Sequence, residues 1–316
     1  MEIGFALSSE DHGPAELVRQ AQLAEQAGFS FAGISDHFHP WTSEQGESSF
    51  VWTTLGAIAQ ATSTLRVFTG VTCPTIRIHP AIVAQAAATT AALMPGRFAL
   101  GVGTGENLNE HVTGARWPLA WERLEMLEEA VDVIRKLWSG EDVTHRGEHY
   151  TVQEARIYTL PDELPEIYVA ASKPGAARLA GRIGDALVST APDAEVVEAF
   201  ESAGGAGKPK IGQFHCAYDE DEDAALERAH KLWPNAALAG SGGQELPSPR
   251  DFEEAAGNVT VKDIAEAVPA GPDPEPYLEQ IRAYEEAGFT HVYIHQIGEN
   301  QDDFAAFAAR ELLTVL

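Results

Sequence analysis

Short apolar runs recur along the chain, and most are followed by a stretch in which apolar positions return at helical spacing. The runs at 3–7, 31–35, 65–71, 98–102, 167–171, 186–189, 210–218 and 290–297 read as strands. Helices are predicted at 14–27, 50–61, 80–93, 119–137, 174–184, 193–203, 220–232, 274–287 and 302–315. The first helix shows the logic. Leu17, Val18, Ala21, Ala24 and Ala27 share a face, Pro14 opens it and Gly28 stops it. Residues 144–152 and 155–158 read as a small hairpin, and 234–270 break the rhythm with glycine, proline and short helical pieces.

Eight strand signals alternate with helices, and several strands are apolar throughout, the mark of buried parallel strands. The economical architecture is an α/β (β/α)8 TIM barrel with an insertion at about 234–270, before the eighth strand. A doubly wound open sheet is the alternative. No linker, repeat or low-complexity segment divides the chain, so residues 1–316 are expected to form a single barrel domain.

Composition narrows the function. The chain carries 48 acidic against 21 basic residues, a net charge of −27. Nucleic acid and anionic membranes both need a basic surface, so neither is an expected partner. No apolar run is long enough to span a bilayer. The N-terminus enters a strand with no leader, and Cys73 and Cys216 form no C-x-x-C pair, so a reduced cytoplasmic protein is expected.

In such a barrel the chemistry sits where strands end. Ser8, Ser9 and Glu10 follow the first strand, and Asp36, His37 and Trp41 the second. Thr72, Cys73 and Thr75 follow the third, and Thr104, Glu106, Asn107 and Asn109 the fourth. Ser172 and Lys173 follow the fifth, Thr190 the sixth, and Gln296 closes the eighth. Polar groups therefore gather at one mouth. A histidine there can exchange a proton near neutral pH, and a tryptophan offers a flat face. Gly101-Val102-Gly103-Thr104-Gly105 lacks the third glycine of a dinucleotide fingerprint at the right spacing. His37-x-His39 could be half a metal site, but no further ligands fall clearly into a set, so no metal is expected.

Several pieces together resemble the luciferase-like monooxygenase superfamily of flavin and deazaflavin barrels. They are Ser35-Asp36-His37-Phe38-His39-Pro40-Trp41, Thr69-Gly70-Val71-Thr72-Cys73-Pro74-Thr75, Pro95-Gly96-Arg97-Phe98, the run from Gly101 to Glu106 with Asn109, and Ala287-Gly288-Phe289-Thr290-His291. The first and the Gly-Thr-Gly-Glu piece are similar to the coenzyme F420-dependent oxidoreductase branch typified by glucose-6-phosphate dehydrogenases. The resemblance implies a deazaflavin in the barrel mouth, against a cis peptide at Gly70–Val71. It implies that Asp36, Cys73, Gly105, Asn109, Ala171, Ser172 and Lys173 hold the cofactor. By the same token His37 takes the substrate proton, Trp41 stacks on the reacting group and Glu106 serves as acid or hydrogen-bond partner. A homodimer is implied too.

One departure bears on substrate. The sugar-phosphate enzymes of this branch clamp the phosphate with a threonine, lysines and an arginine. Thr190 is retained, but Asp193 and Glu266 fall where basic residues belong, and the insertion reads Ser241-Gly242-Gly243-Gln244-Glu245-Leu246 where a lysine is expected. Glu10, Thr190, Asp193 and Glu266 are thus the candidate substrate residues, and the expected substrate is a non-phosphorylated alcohol, sugar or ketone. Three alternatives stand beside it: an F420-dependent sugar-phosphate dehydrogenase, an FMN-dependent monooxygenase and a metal-dependent barrel hydrolase.

Overall fold

The computed structural model describes residues 1–238 and 242–314. Its strands are β1 (Glu2–Leu7), β2 (Phe31–Ile34), β3 (Arg66–Thr69), β4 (Phe98–Val102), β5 (Val143–Arg146), β6 (Thr151–Ala155), β7 (Ile167–Ala170), β8 (Ala186–Ser189), β9 (Lys210–Cys216) and β10 (His291–Gln296). β5 and β6 form a separate antiparallel hairpin. The other eight are parallel and close a barrel in the order β1, β2, β3, β4, β7, β8, β9, β10 and back to β1. This is the expected TIM barrel.

The helices are α1 (Pro14–Ala27), α2 (Val51–Ala61), α3 (Pro80–Leu93), α4 (Asn107–Glu110), α5 (Ala120–Leu137), α6 (Pro174–Ile183), α7 (Ala194–Phe200), α8 (Glu222–Leu232), α9 (Pro249–Ala255), α10 (Val261–Ala267), α11 (Glu275–Glu286) and α12 (Gln301–Glu311). Proline at the first turn suits α1, α3 and α6, because its missing N–H would have had no intrahelical partner. Gly28 ends α1 at φ 94°, a left-handed conformation that glycine takes without penalty. No helix among the described residues is long and apolar enough to cross a membrane.

Apolar side chains fill two layers. Leu17, Leu55, Ile58, Val83, Ile134 and Ile281 join the outer faces of the strands to the helices. Phe31, Phe68, Val188, Ile211 and Tyr293 plug the barrel. Phe68 and Tyr293 meet edge to face at 5.3 Å. A β-carbon at Gly33 would lie 2.9 Å from both rings, so only glycine fits at position 33. Because side chains alternate across a strand, the inward parity that brings Ile211 and Tyr293 into the plug also turns His215 and His295 inward, near the upper ends of β9 and β10.

Several boundaries differ from the sequence pattern: the hairpin expected at 144–152 and 155–158 is formed by β5 and β6, the strand expected over 210–218 ends at Cys216, and the helix expected over 302–315 ends at Glu311. The third strand stops at Thr69, before the cis Gly70–Val71 peptide, and Thr72 rejoins the sheet through a bridge to Val102. The helix expected over 193–203 ends at Phe200 and gives way to a π turn over Glu201–Gly205, with Gly204 at φ 106°. The insertion contains α9 and α10. Phe252 of α9 packs on Trp41 with ring centroids 5.0 Å apart, which places the insertion over the mouth. Ser241 lies outside the described residues.

Candidate active site

The second strand delivers His37 to the mouth, and the first supplies its support. His37 Nδ1 lies 3.2 Å from the carbonyl oxygen of His39 and 3.4 Å from Glu10 Oε1. Its Nε2 faces Glu106 Oε2 at 3.5 Å. Two acceptors face Nδ1 and one, at a longer distance, faces Nε2, so the neutral ring carries its proton on Nδ1 and leaves Nε2 as the basic nitrogen. Trp41 flanks the ring at 4.8 Å between centroids. His39 turns away: its Nδ1 meets the Leu108 carbonyl at 2.9 Å and its ring stacks on His111.

Glu10, expected at the substrate, is instead buried behind His37 and accepts hydrogen bonds from Ser35 Oγ at 2.6 Å and Ser8 Oγ at 2.9 Å. Burial alone would raise this carboxyl. The facing His37 and the two hydroxyls outweigh it and hold the group below the usual carboxylate range. Glu106 moves the other way: removal from water pushes it up, with Glu10 adding and His37 opposing. The two carboxyls that flank one imidazole thus have opposed environments, the arrangement that separates acid from base in many sites. The profile of kcat/KM against pH is expected to carry an inflection above the ordinary glutamate range that Glu106→Gln removes. An unchanged profile in that variant would refute the assignment.

Arg77 and Glu110 complete a buried cluster that sequence reasoning missed. Arg77 Nη2 donates to Asp36 Oδ1 at 2.8 Å, and its backbone N–H donates to Glu110 Oε2 at 2.6 Å. Thr72 Oγ1 donates to Asp36 Oδ2 at 2.7 Å. Asp36 therefore ties the His37 loop to the chain after β3. Asn109 does the same from the other side, accepting from the Phe38 N–H at 2.8 Å and donating to Glu106 at 3.2 Å. Both residues, expected to hold cofactor, have partners within the protein.

The floor of the mouth is backbone and small groups. The cis peptide sits at Gly70–Val71, as the resemblance implied. Gly105 has φ 85°, and a β-carbon there would fall 2.5 Å from Cys73 Sγ. Cys73 is buried beside Thr75, and burial pushes its thiol well up, so it is no thiolate nucleophile. At the end of β7, Ala171 is buried while Ser172 and Lys173 are exposed, and Lys173 precedes the N-terminus of α6. Lys173 and Arg178 form no ion pair among the described residues. A cavity of about 410 Å³ lies at the opposite end of the barrel, lined by Phe68, Tyr168 and His291 among others. That is the end where such barrels carry stability rather than chemistry.

The remaining substrate candidates scatter. Thr190 is exposed at the end of β8. Asp193 caps α7, accepting from the N–H groups of Glu195 and Val196. Glu266 sits on the exposed face of α10, 3.4 Å from Lys262. Lys208 donates to the carbonyls of Gly181 and Gly184, and Arg182 reaches Glu128 on α5. None of these cations is turned to the mouth.

A closed parallel barrel with an acid–base cluster and a backbone-lined floor at its strand ends is built for cofactor chemistry on a small molecule. The chain belongs to the luciferase-like monooxygenase family, whose model matches residues 1–291. It is 36% identical over 325 residues to the F420-dependent glucose-6-phosphate dehydrogenase of Microbacterium testaceum (strain StLB037), covering 99% of this chain and 96% of that one. The protein of the same description in Nocardia farcinica (strain IFM 10152) is 37% identical over 326 residues, covering 99% and 97%. A solved F420-dependent secondary alcohol dehydrogenase, in complex with an F420-acetone adduct, matches with a TM-score of 0.91 and 31% identity over 100% of this chain and 99% of that one.

Proposed function

We propose that this protein is a coenzyme F420-dependent oxidoreductase that moves a hydride between a carbinol or carbonyl carbon and the deazaflavin, with His37 handling the hydroxyl proton. The observation that carries this reading is the Glu10–His37–Glu106 chain, which leaves Nε2 basic at the mouth. The relatives support the cofactor: two curated proteins above 35% identity and a structure at 31% all carry F420 in their descriptions.

The residues present fit the cofactor. Gly70, Val71, Cys73 and Gly105 form a floor that a flat ring can approach. Ala171, Ser172, Lys173 and the N-terminus of α6 offer amides and a cation for an anionic tail. When bound, the coenzyme supplies the hydride acceptor or donor. His37 Nε2 removes the carbinol proton in the oxidative direction and returns it in the reverse. Glu10 stays ionised and steadies the imidazolium that results. Trp41 and the insertion cover the reacting carbon and exclude water. Glu106 stands where it can share a proton with His37.

The substrate is a non-phosphorylated alcohol, sugar or ketone. A phosphate dianion needs fixed cationic donors to offset its desolvation, and Thr190 supplies one neutral hydroxyl. Asp193, Glu266, Lys208 and Lys262 are all engaged elsewhere. The names of the curated relatives favour glucose-6-phosphate as the second reading. A panel of secondary alcohols, free sugars and glucose-6-phosphate, read by deazaflavin reduction, separates the two. Neutral alcohols are expected to have the higher kcat/KM; efficient turnover of glucose-6-phosphate below roughly millimolar concentration would reverse the assignment. The proposal includes a cytoplasmic homodimer. Exposed Phe50, Ile82 and Leu93 on the α2–α3 side are its candidate apolar face, and light scattering that returned a monomer would remove it.

A further inference from the structure

A second histidine chain lies at the same mouth, on β9 and β10 beside β1, and the proposed chemistry does not use it. His215 Nδ1 and His295 Nδ1 are 2.7 Å apart. His295 is buried, and its Nε2 lies 3.4 Å from Asp11 Oδ2, outside hydrogen-bonding geometry, and has no hydrogen-bond partner. Trp233 Nε1–H donates to both Asp11 oxygens, at 2.8 and 2.7 Å, and its ring packs on both histidines. Consecutive acids thus back two imidazoles: Glu10 backs His37 and Asp11 backs His295.

The carboxylate fixes the tautomers along this chain. A bare nitrogen facing Asp11 would be repelled, so His295 carries its proton on Nε2. Its Nδ1 is then an acceptor. Two ring nitrogens 2.7 Å apart need one proton between them, so His215 Nδ1 is the donor. His215 Nε2 is left as a lone pair. The inward parity of β9 aims this ring into the mouth, and His215 is only half-buried on a strand otherwise largely buried.

We propose that His215 Nε2 is a substrate-binding acceptor, and that it selects substrates bearing a second hydroxyl group besides the one that reacts. This rests on the proposed alcohol chemistry at His37 and narrows it to diols, polyols or hydroxyketones. Burial and the neighbouring His295 push the His215 pKa down to about 3, so this nitrogen stays neutral and offers nothing to an anion. A neutral donor such as a hydroxyl is its match. Asp11 and His12 are the titratable groups that face His295 behind it.

The test needs neither cofactor nor turnover, so its failure is distinct from failure of the oxidoreductase reading. Protein labelled with ¹⁵N-histidine is examined by long-range ¹H–¹⁵N NMR, then titrated with trans-1,2-cyclohexanediol or with 2-methoxycyclohexanol. The expected His215 signals are protonated Nδ1 and unprotonated Nε2, with Nε2 moving on addition of the diol and not of the methyl ether. Asp11→Asn, near-isosteric, should invert the chain. Trp233 holds the amide oxygen, the amide N–H faces His295 Nε2, and His215 Nε2 becomes protonated. The diol-to-ether ratio of affinities should then fall by about tenfold, the worth of one neutral hydrogen bond. A protonated His215 Nε2 in the parent protein, a doubly protonated His295, or a diol that leaves His215 unmoved would each overturn the proposal.

Discussion

His37→Ala is expected to lower turnover by about 10²–10⁴-fold, the usual worth of a positioned general base, while F420 affinity stays within a few-fold. The reason is geometric. His37 Nε2 is the one basic nitrogen of the cluster that opens to the mouth, and Glu10 is held ionised behind it by Ser8, Ser35 and His37 itself. Its one carboxyl neighbour on that side, Glu106, lies 3.5 Å from the same nitrogen, and burial pushes that carboxyl up. His39→Ala is expected to cost far less, because His39 spends its ring nitrogen on the Leu108 carbonyl and its face on His111. Steady-state kinetics on both variants decides the matter. Equal and small effects would show that the proton leaves by another route.

The largest effect on stability is expected at Arg77. Its guanidinium neutralises Asp36 and faces Glu110, and both carboxylate side chains are fully buried. Arg77→Met would leave two buried carboxyls without their cation, a loss of about 3–5 kcal/mol by the usual cost of breaking such a pair. The damage would spread to the site, since Asp36 anchors the loop that carries His37 and Trp41. Arg19→Met is the control. Arg19 bridges Glu16 and Asp302 in the open, and an exposed pair contributes about 0–1 kcal/mol. Urea unfolding of the two variants should differ in midpoint accordingly. A loss below about 1 kcal/mol for Arg77→Met would mean that the cluster relaxes by taking up protons or water.

Much of this was legible in the sequence because the barrel repeats one rule. Apolar strand, polar strand end and amphipathic helix alternate, and the strand ends then name the mouth. His37, Trp41 and Glu106 stand out that way, and the structure brings them together; the cis peptide at Gly70–Val71 came from the family resemblance, and the structure has it. What escaped was pairing between distant segments. Nothing near Arg77 indicates that its guanidinium faces Asp36, 41 residues away. Glu10 was placed at the substrate because a strand-end acid looks exposed until Ser8 and Ser35 are seen to enclose it. Asp193 and Glu266 were read for charge, whereas one caps a helix and the other pairs with Lys262 on an outer surface. A signal for His215 and His295 was available: equal parity near the ends of adjacent strands points both rings inward.

The central claim is that this mouth is built for a deazaflavin and for a histidine that exchanges a proton beside it. Titration of the purified protein with F420 and, separately, with FMN tests that most directly, followed through tryptophan fluorescence because Trp41 lies in the mouth beside His37. The expected result is saturable quenching by F420 at roughly micromolar concentration or below, with little response to FMN. Tight FMN binding with no response to F420 would contradict the account.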